Sequence, residues 1–358
     1  MARVGIFGLP NVGKTALFNA LTGLQAPTAA HPYSTTEPNV GVAKVPDERL
    51  DRAAAVEQSA KIVRATLDLL DLPAMAGGSG GGFGGQFLGR LREMEALVGV
   101  LRAFHDEGVT DADSGTDPAT QAENLLLELT LADADVFGRR TERSVKEAGS
   151  DPAKKAFAAA VQRASDHLAE GTPLRLGSWS IEDLAAFRDM APLTLKPTVW
   201  VVNVAEDEAN ATGLCAAVET VVPGGDVVVA LSAAIEEEAA RLDPADRAEL
   251  LEGLGLGEGA LATMVRAIYS AVGLLSFFTV GPKEAHAWTV RRGATAPEAA
   301  GKIHSDLERG FIRAEVTPIE AVIEAGGWAQ AKAAGKVRLE GKDYVVAEGD
   351  VIEVRFSV

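Results

Sequence analysis

The sequence is short of cysteine, of positive charge and of long apolar runs, and each shortage excludes something. Cys215 stands alone, so no internal disulfide can form and a reducing compartment is expected. In its apolar surroundings that thiol reads as a small core residue rather than a redox group. Lys and Arg number 34 against 51 Asp and Glu, giving a formal net charge of −17. The overall field therefore repels phosphate backbones and anionic lipid, and any nucleic-acid contact must come from a local patch. Neither DNA nor a membrane is an expected partner. No stretch approaches the roughly 18 apolar residues needed to span a bilayer, so cytoplasm is the expected location. His105, His167, His286 and His304 lack ligand spacing with Cys or carboxylates, which argues against zinc.

What is present is a chain of 358 residues, 47% of them apolar, enough for a sizeable core and two or three domains. Short apolar runs at Val4 to Phe7, Ala65 to Leu70, Val98 to Phe104, Thr198 to Val202 and Val227 to Leu231 predict strands buried on both faces, the pattern of an α/β sheet. Between the third and fourth runs, Leu125, Leu129, Ala132 and Val136 recur at helical spacing, and Phe157, Val161, Ala164 and Leu168 do the same. Gly149-Ser150-Asp151-Pro152 links them as a turn, which predicts a helical hairpin arm inserted into the sheet's connectivity. The helical pattern continues to Ser270, after which strand-like runs and glycine turns begin. The last 84 residues hold 11 Lys or Arg against 12 Asp or Glu, so the negative charge is concentrated upstream. Lys336 to Leu339, Tyr344 to Val346 and Val351 to Phe356 predict strands around one helix, Pro297 to Leu307, in a small ubiquitin-like sheet. The expected domains are residues 1–117 with 192–274, an arm at 118–191, and a C-terminal domain at 275–358.

The strongest chemical signal is Gly8-Leu9-Pro10-Asn11-Val12-Gly13-Lys14-Thr15, a complete GxxxxGK[ST] directly after a strand and before the helix Ala16 to Leu21. Its glycines let backbone N–H groups curl around phosphates, and the helix N-terminus adds partial positive charge. Lys14 reaches the terminal phosphates and the Thr15 hydroxyl can bind magnesium. Asn11, Val12, Gly13, Lys14, Thr15 and Ala16 are thus the expected phosphate contacts. A dinucleotide site would need GxGxxG at this turn, which Gly8-Leu9-Pro10 does not supply.

A P-loop hydrolase also needs a second magnesium-side group and a γ-phosphate sensor. Thr35 and Thr36 lie in the loop 29–39, where either could complete a magnesium shell. Asp71 closes the second strand where a carboxylate would face the metal. His31, in the same loop as the threonines, is a lone histidine best left as solvated. For the base, guanine presents two adjacent donors that an Asn-Lys-x-Asp clamp satisfies through its carboxylate. Here the strand ends Asn203-Val204-Ala205-Glu206, with Lys absent and Asp lengthened to Glu, so adenine is the better match. Ser232, at the end of the next strand, is either a second base contact or a helix N-cap. Arg291 and Arg292, with Lys302 and Arg313, form either an RNA-facing patch or a solvated charged face.

Together these residues resemble the YchF family, the Obg-like ATPases of the translation-factor class. The resemblance is carried by the P-loop, by Thr36-Glu37-Pro38-Asn39-Val40-Gly41-Val42, by Asn203-Val204-Ala205-Glu206, by Gly293-Ala294-Thr295-Ala296-Pro297 with Gly310-Phe311-Ile312-Arg313-Ala314, and by Glu340-Gly341-Lys342-Asp343-Tyr344. It implies a Ras-like G domain, an inserted helical arm and a C-terminal TGS domain of β-grasp type. It also implies ATP preference and association with the ribosome, with the large subunit the expected partner and a monomer the expected state. The family's magnesium ligands fall on Thr15 and Thr35 and its base contacts on Asn203, Val204 and Glu206, while Lys14 and Asp71, read from the P-loop and the strand end, are the expected catalytic groups. Asn11 resembles the position that marks potassium-responsive members of the wider class.

One stretch departs from that pattern. Where the family reads Asp-x-Ala-Gly followed by Leu, this chain reads Asp71-Leu72-Pro73-Ala74-Met75, then a lysine-free loop with seven glycines between Gly77 and Gly85. Pro73 removes a backbone donor, Ala74 narrows the available dihedrals, and a Met75 thioether cannot orient water. The expectation is a slow, magnesium-dependent ATPase switch. Its alternatives are a nucleotide-sensing scaffold that has lost hydrolysis, and a GTPase that uses the remaining Glu206 carboxylate.

Overall fold

The computed structural model describes residues 2–26, 38–72, 84–105, 115–206, 211–254 and 259–357. Its strands are β1 Arg3–Phe7, β2 Asn39–Lys44, β3 Ile62–Val63, β4 Thr66–Asp71, β5 Ala96–Ala103, β6 Thr198–Val204, β7 Val227–Leu231, β8 Leu274–Thr279, β9 Ala285–Arg291, β10 Phe311–Pro318, β11 Arg338–Glu340 and β12 Asp350–Phe356. The helices that matter below are α1 Lys14–Thr22, α2 Glu48–Glu57, α3 Gly85–Arg92, α4 Pro118–Ala148, α5 Pro152–Ala169, α6 Ile181–Phe187, α7 Ala211–Glu219 and α8 Ala233–Ala240.

The first sheet has the order β2-β4-β1-β5-β6-β7. β1 pairs in parallel with β4 and β5, β5 with β6, and β6 with β7. Every residue of β6 is buried, as helix-covered parallel strands require. This is the α/β sheet expected from the apolar runs, in the Ras-like P-loop form that the family resemblance implies. The phosphate turn follows β1, Asp71 ends β4 and Asn203 lies near the end of β6, so the residues singled out for chemistry share the carboxyl edge of one sheet, where open α/β sheets bind ligands.

Two long helices, α4 and α5, form the hairpin. Each starts with a capping aspartate followed by proline: Asp117 accepts from the Thr120 N–H and Asp151 from the Ala153 and Lys154 N–H groups. The first turns of α4 bury Ala122, Leu125 and Leu129 in the sheet's own core. Farther out, Phe137 rather than the expected Val136 is the fully buried residue, packed edge-on to Phe187 with Val161, Ala164 and Leu168 of α5 in a second cluster. The junction is locked by Asp133, fully buried, which accepts from Leu193 N–H (3.0 Å), Thr194 N–H (2.8 Å), the Thr194 hydroxyl (2.9 Å) and Arg92 (2.7 Å).

The chain forms two compact units, Ala2–Gly41 with Asp68–Met264, and Val42–Leu67 with Val265–Val358. The second unit thus recruits β3 and α2 from the N-terminal half, which the sequence boundaries place elsewhere. Its sheet runs β11-β10-β12-β8-β9-β3. Ile62 and Val63 pair in parallel with Ala285 and His286, while Arg49 bridges Asp47 and Glu348. Two sequence expectations need correction. The single helix over Pro297 to Leu307 is two, Ala296–Ile303 and Ser305–Arg309, because His304 adopts an extended backbone and caps the second through Nδ1 on the Asp306 N–H. Tyr344 to Val346 forms no strand but only an isolated bridge, Val345 to Thr295.

Candidate functional site

The P-loop is built by backbone conformations that its residues tolerate and others would not. Asn11 has φ 59° and Gly13 φ 94°, both left-handed. Gly13 caps α1, and a Cβ there would lie 2.2 Å from Asn203 Nδ2, so the position requires glycine twice over. Gly8 is also constrained, since a Cβ would meet the Val100 carbonyl oxygen at 2.5 Å. Val12 is fully buried and anchors the turn.

Lys14 is 6% exposed and donates from Nζ to the Leu9 carbonyl at 2.7 Å, folding its ammonium back over the turn. Burial lowers its pKa to about 8, with the nearby Asp71 carboxylate acting in the opposite direction. The Thr15 hydroxyl donates to Asp71 Oδ2 at 2.9 Å. Asn39, at the start of β2, donates to the same oxygen at 3.0 Å. Lysine, hydroxyl and carboxylate therefore converge at the first turn of α1. Nothing in the sequence marks Asn39 for this role: a polar residue opening a strand gives no local sign that it supports a carboxylate from the neighbouring strand.

The base side is arranged differently. Asn203 donates from Nδ2 to the Val12 carbonyl (2.9 Å) and accepts at Oδ1 from the Ala233 N–H (2.9 Å), so its amide ties the P-loop to the turn after β7. Ser232 is the N-cap of α8, its hydroxyl accepting from the Ile235 N–H, which realises the capping alternative. Val204 is buried and Glu206 exposed. Another unanticipated contact joins Asn19 to both backbone groups of Ala26 and to Glu237, holding the chain where α1 leaves the P-loop region. Thr35, Thr36 and His31, and the departure at Pro73, Ala74 and Met75, lie outside the described residues.

Comparison with known proteins meets this geometry from the other direction. The YchF-GTPase_C family model, described as a protein of unknown function, matches residues 274–357, and the MMR_HSR1 model, described as a 50S ribosome-binding GTPase, matches residues 3–128. The chain is 42% identical over 360 residues to the ribosome-binding ATPase YchF of Escherichia coli O157:H7, covering 99% of each. It belongs to the YchF family. The Bacillus subtilis (strain 168) YchF is 40% identical over 361 residues, again with 99% of each chain covered, and Obg-like ATPase 1 of rice (Oryza sativa subsp. japonica) is 35% identical over 369 residues, covering 99% of this chain and 92% of that protein. Among solved structures, the Schizosaccharomyces pombe YchF GTPase superposes with a TM-score of 0.86 at 29% identity, covering 99% of this chain and 97% of that one. The names of these YchF relatives divide between ATPase and GTPase, so the base side of the site carries the question of nucleotide. Among the described residues, no helix is long and apolar enough to cross a membrane.

Proposed function

We propose that this chain is an ATP-binding, slowly ATP-hydrolysing switch protein that works in association with the ribosome. The observation that carries the reading is the convergence of Lys14, Thr15 and Asp71 at one helix N-terminus, beside a base motif, Asn203 to Glu206, that lacks the guanine clamp's lysine. The N–H groups at the start of α1 would cradle the phosphates, and the buried Lys14 ammonium would neutralise the β and γ groups. The Thr15 hydroxyl donates its hydrogen bond to Asp71, so the oxygen's lone pairs remain available to a cation beside a carboxylate. That hard-oxygen pair suits magnesium, and Thr35 is the further ligand the family resemblance implies. Bound there, magnesium would neutralise and orient the terminal phosphates. Asn11 makes potassium a second cation to test. No side chain assigned here orients the attacking water, so turnover should be slow.

The relatives' names supply the partner. Ribosome-binding YchF proteins align with this chain end to end, and the MMR_HSR1 description specifies the 50S particle. In our reading the chain is a monomer that docks on the large subunit through the helical arm and the C-terminal domain. Radiolabelled ATP and GTP incubated with the purified chain would decide the chemistry: phosphate release from ATP, faster than from GTP, is expected. ATP bound but never cleaved would favour the scaffold alternative, and GTP preferred would favour the GTPase. Co-sedimentation with purified large subunits tests the partner.

A further inference from the structure

The helical arm is polarised in charge, and no part of the site described above uses that feature. Its proximal stretch, residues 118–137, holds Glu123, Glu128, Asp133 and Asp135 with no Lys or Arg. The distal stretch, residues 138–163, holds seven Lys or Arg against three Asp or Glu, a local excess of +4 in a chain whose net charge is −17. Arg139, Arg143 and Lys146 fall at i, i+4 and i+7 of α4 and so share one face. Lys154 and Lys155 open α5 just across the Gly149 turn.

Some of these cations are already engaged. Arg139 pairs with Asp135 at 2.7 Å; Arg140 pairs with Glu147 at 3.1 Å and lies over the Phe157 ring; Arg163 pairs with Asp183 at 2.5 Å. Arg143, Lys146, Lys154 and Lys155 are exposed and have no side-chain hydrogen bond or ion pair among the described residues. Helix electrostatics does not account for all four. Lys146 near the C-terminus of α4 is favoured by the helix dipole, but Lys154 and Lys155 sit in the first turn of α5, where the dipole opposes positive charge. Two lysines placed against their own helix dipole, with the Asp151 cap as the nearest carboxylate on α5, stand beside two more cations free to meet an anion.

We infer that the tip of the arm is a phosphate-backbone contact, and that Arg143, Lys146, Lys154 and Lys155 dock it on ribosomal RNA. The inference rests on the ribosome-associated reading above and specifies which part of the ribosome the arm meets. Point-charge lysines and an exposed arginine, without an aromatic stacking platform among them, suit a regular array of phosphates rather than base-specific readout. An RNA surface also fits the charge distribution: the net charge of −17 repels phosphates over most of the chain, so a local excess of cations marks where the arm can approach them.

The test compares the full-length protein with a variant carrying Arg143→Glu, Lys146→Glu, Lys154→Glu and Lys155→Glu, and with a second in which the same four become alanine. Affinity for purified large subunits and for protein-free ribosomal RNA is measured across a potassium chloride series, with ATP affinity and circular dichroism as controls for folding. Both variants should lose at least tenfold in affinity for both targets at moderate salt. The alanine variant's salt dependence should flatten by about 3 to 4 in log K against log salt, the release expected for about four lost phosphate contacts. Wild-type-like binding by a folded variant would overturn the inference. Weakened binding to subunits with unchanged binding to free RNA would also overturn it, in favour of an acidic ribosomal protein. If the unmodified chain ignores subunits yet binds free RNA through these residues, the ribosomal reading fails and the phosphate contact stands; if it binds neither, both fail.

Discussion

The phosphate side and the base side of the site are built on opposite principles. On the phosphate side, left-handed backbone at Asn11 and Gly13, a buried Lys14 and the Thr15, Asn39 and Asp71 hydrogen bonds fix the groups that would meet a ligand before it arrives. On the base side, Asn203 gives both ends of its amide to the backbone, Ser232 caps a helix, and Glu206 is exposed. Groups held ready for a ligand at one end, and polar groups already engaged by the backbone at the other, put affinity mainly on the phosphates, with base discrimination a smaller increment.

The largest effect that comparison predicts is for Gly13→Ala. The new methyl would need both a strained φ and the space of the Asn203 amide, so nucleotide binding should be lost, as read by calorimetric titration with ATP. Retained binding would show that the P-loop is softer than its hydrogen bonds imply. Lys14→Ala should come next, abolishing measurable turnover and weakening ATP. An unchanged rate and affinity would reduce the turn to a structural element and end the nucleotide reading.

Asp71→Asn keeps the shape but removes the charge that faces Thr15 and Lys14. Magnesium-dependent ATP binding should weaken by about 1.5 to 3 kcal/mol, the scale of a charge-assisted hydrogen bond, while magnesium-free binding changes less. Equal loss with and without the metal would argue that Asp71 supports the fold rather than a cation.

A fourth prediction uses pH. The free site holds Lys14 with a pKa near 8, whereas a bound phosphate would favour the ammonium and raise it. ATP affinity should therefore be level below pH 8 and fall as pH rises through it, approaching about tenfold per unit above. The same depression means that between about 8 and 10.5 the unfolded chain binds more protons than the folded one, so the stability of the ligand-free protein should increase with pH over that window. Affinity that is flat from pH 7 to 9.5 would contradict the burial of this lysine. The smallest effect concerns the base: Val204→Lys with Glu206→Asp should shift the ATP-to-GTP affinity ratio toward GTP by about tenfold, or 1.4 kcal/mol. No shift would locate base choice outside this motif.

Much of this was legible in the chain itself. The GxxxxGK[ST] string and the apolar strand before it place Lys14 and Thr15, because phosphate binding by backbone amides needs glycine at fixed offsets. The strand run ending at Asp71 places the carboxylate. The arm helices were readable because α4 and α5 follow the helical period and start with Asp-Pro. The capture of β3 and α2 by the C-terminal unit was not legible, since β3 is two residues long and leaves no periodicity to read. Nor was the break at His304, where a side-chain cap overrides an otherwise continuous helical pattern.

The sequence by itself determined the identity of the phosphate-binding turn, the α/β class and the charge polarity of the arm, all of which depend on spacing along a single segment. Only the tertiary structure decided that Asn39 and Thr15 share one oxygen of Asp71, that Asn203 braces the P-loop from 191 residues away, and that Asp133 locks the arm to Arg92, Leu193 and Thr194. Those links are long-range hydrogen bonds to buried groups. Their partners are chosen by which strand lies beside which, and no local pattern of residues records that choice.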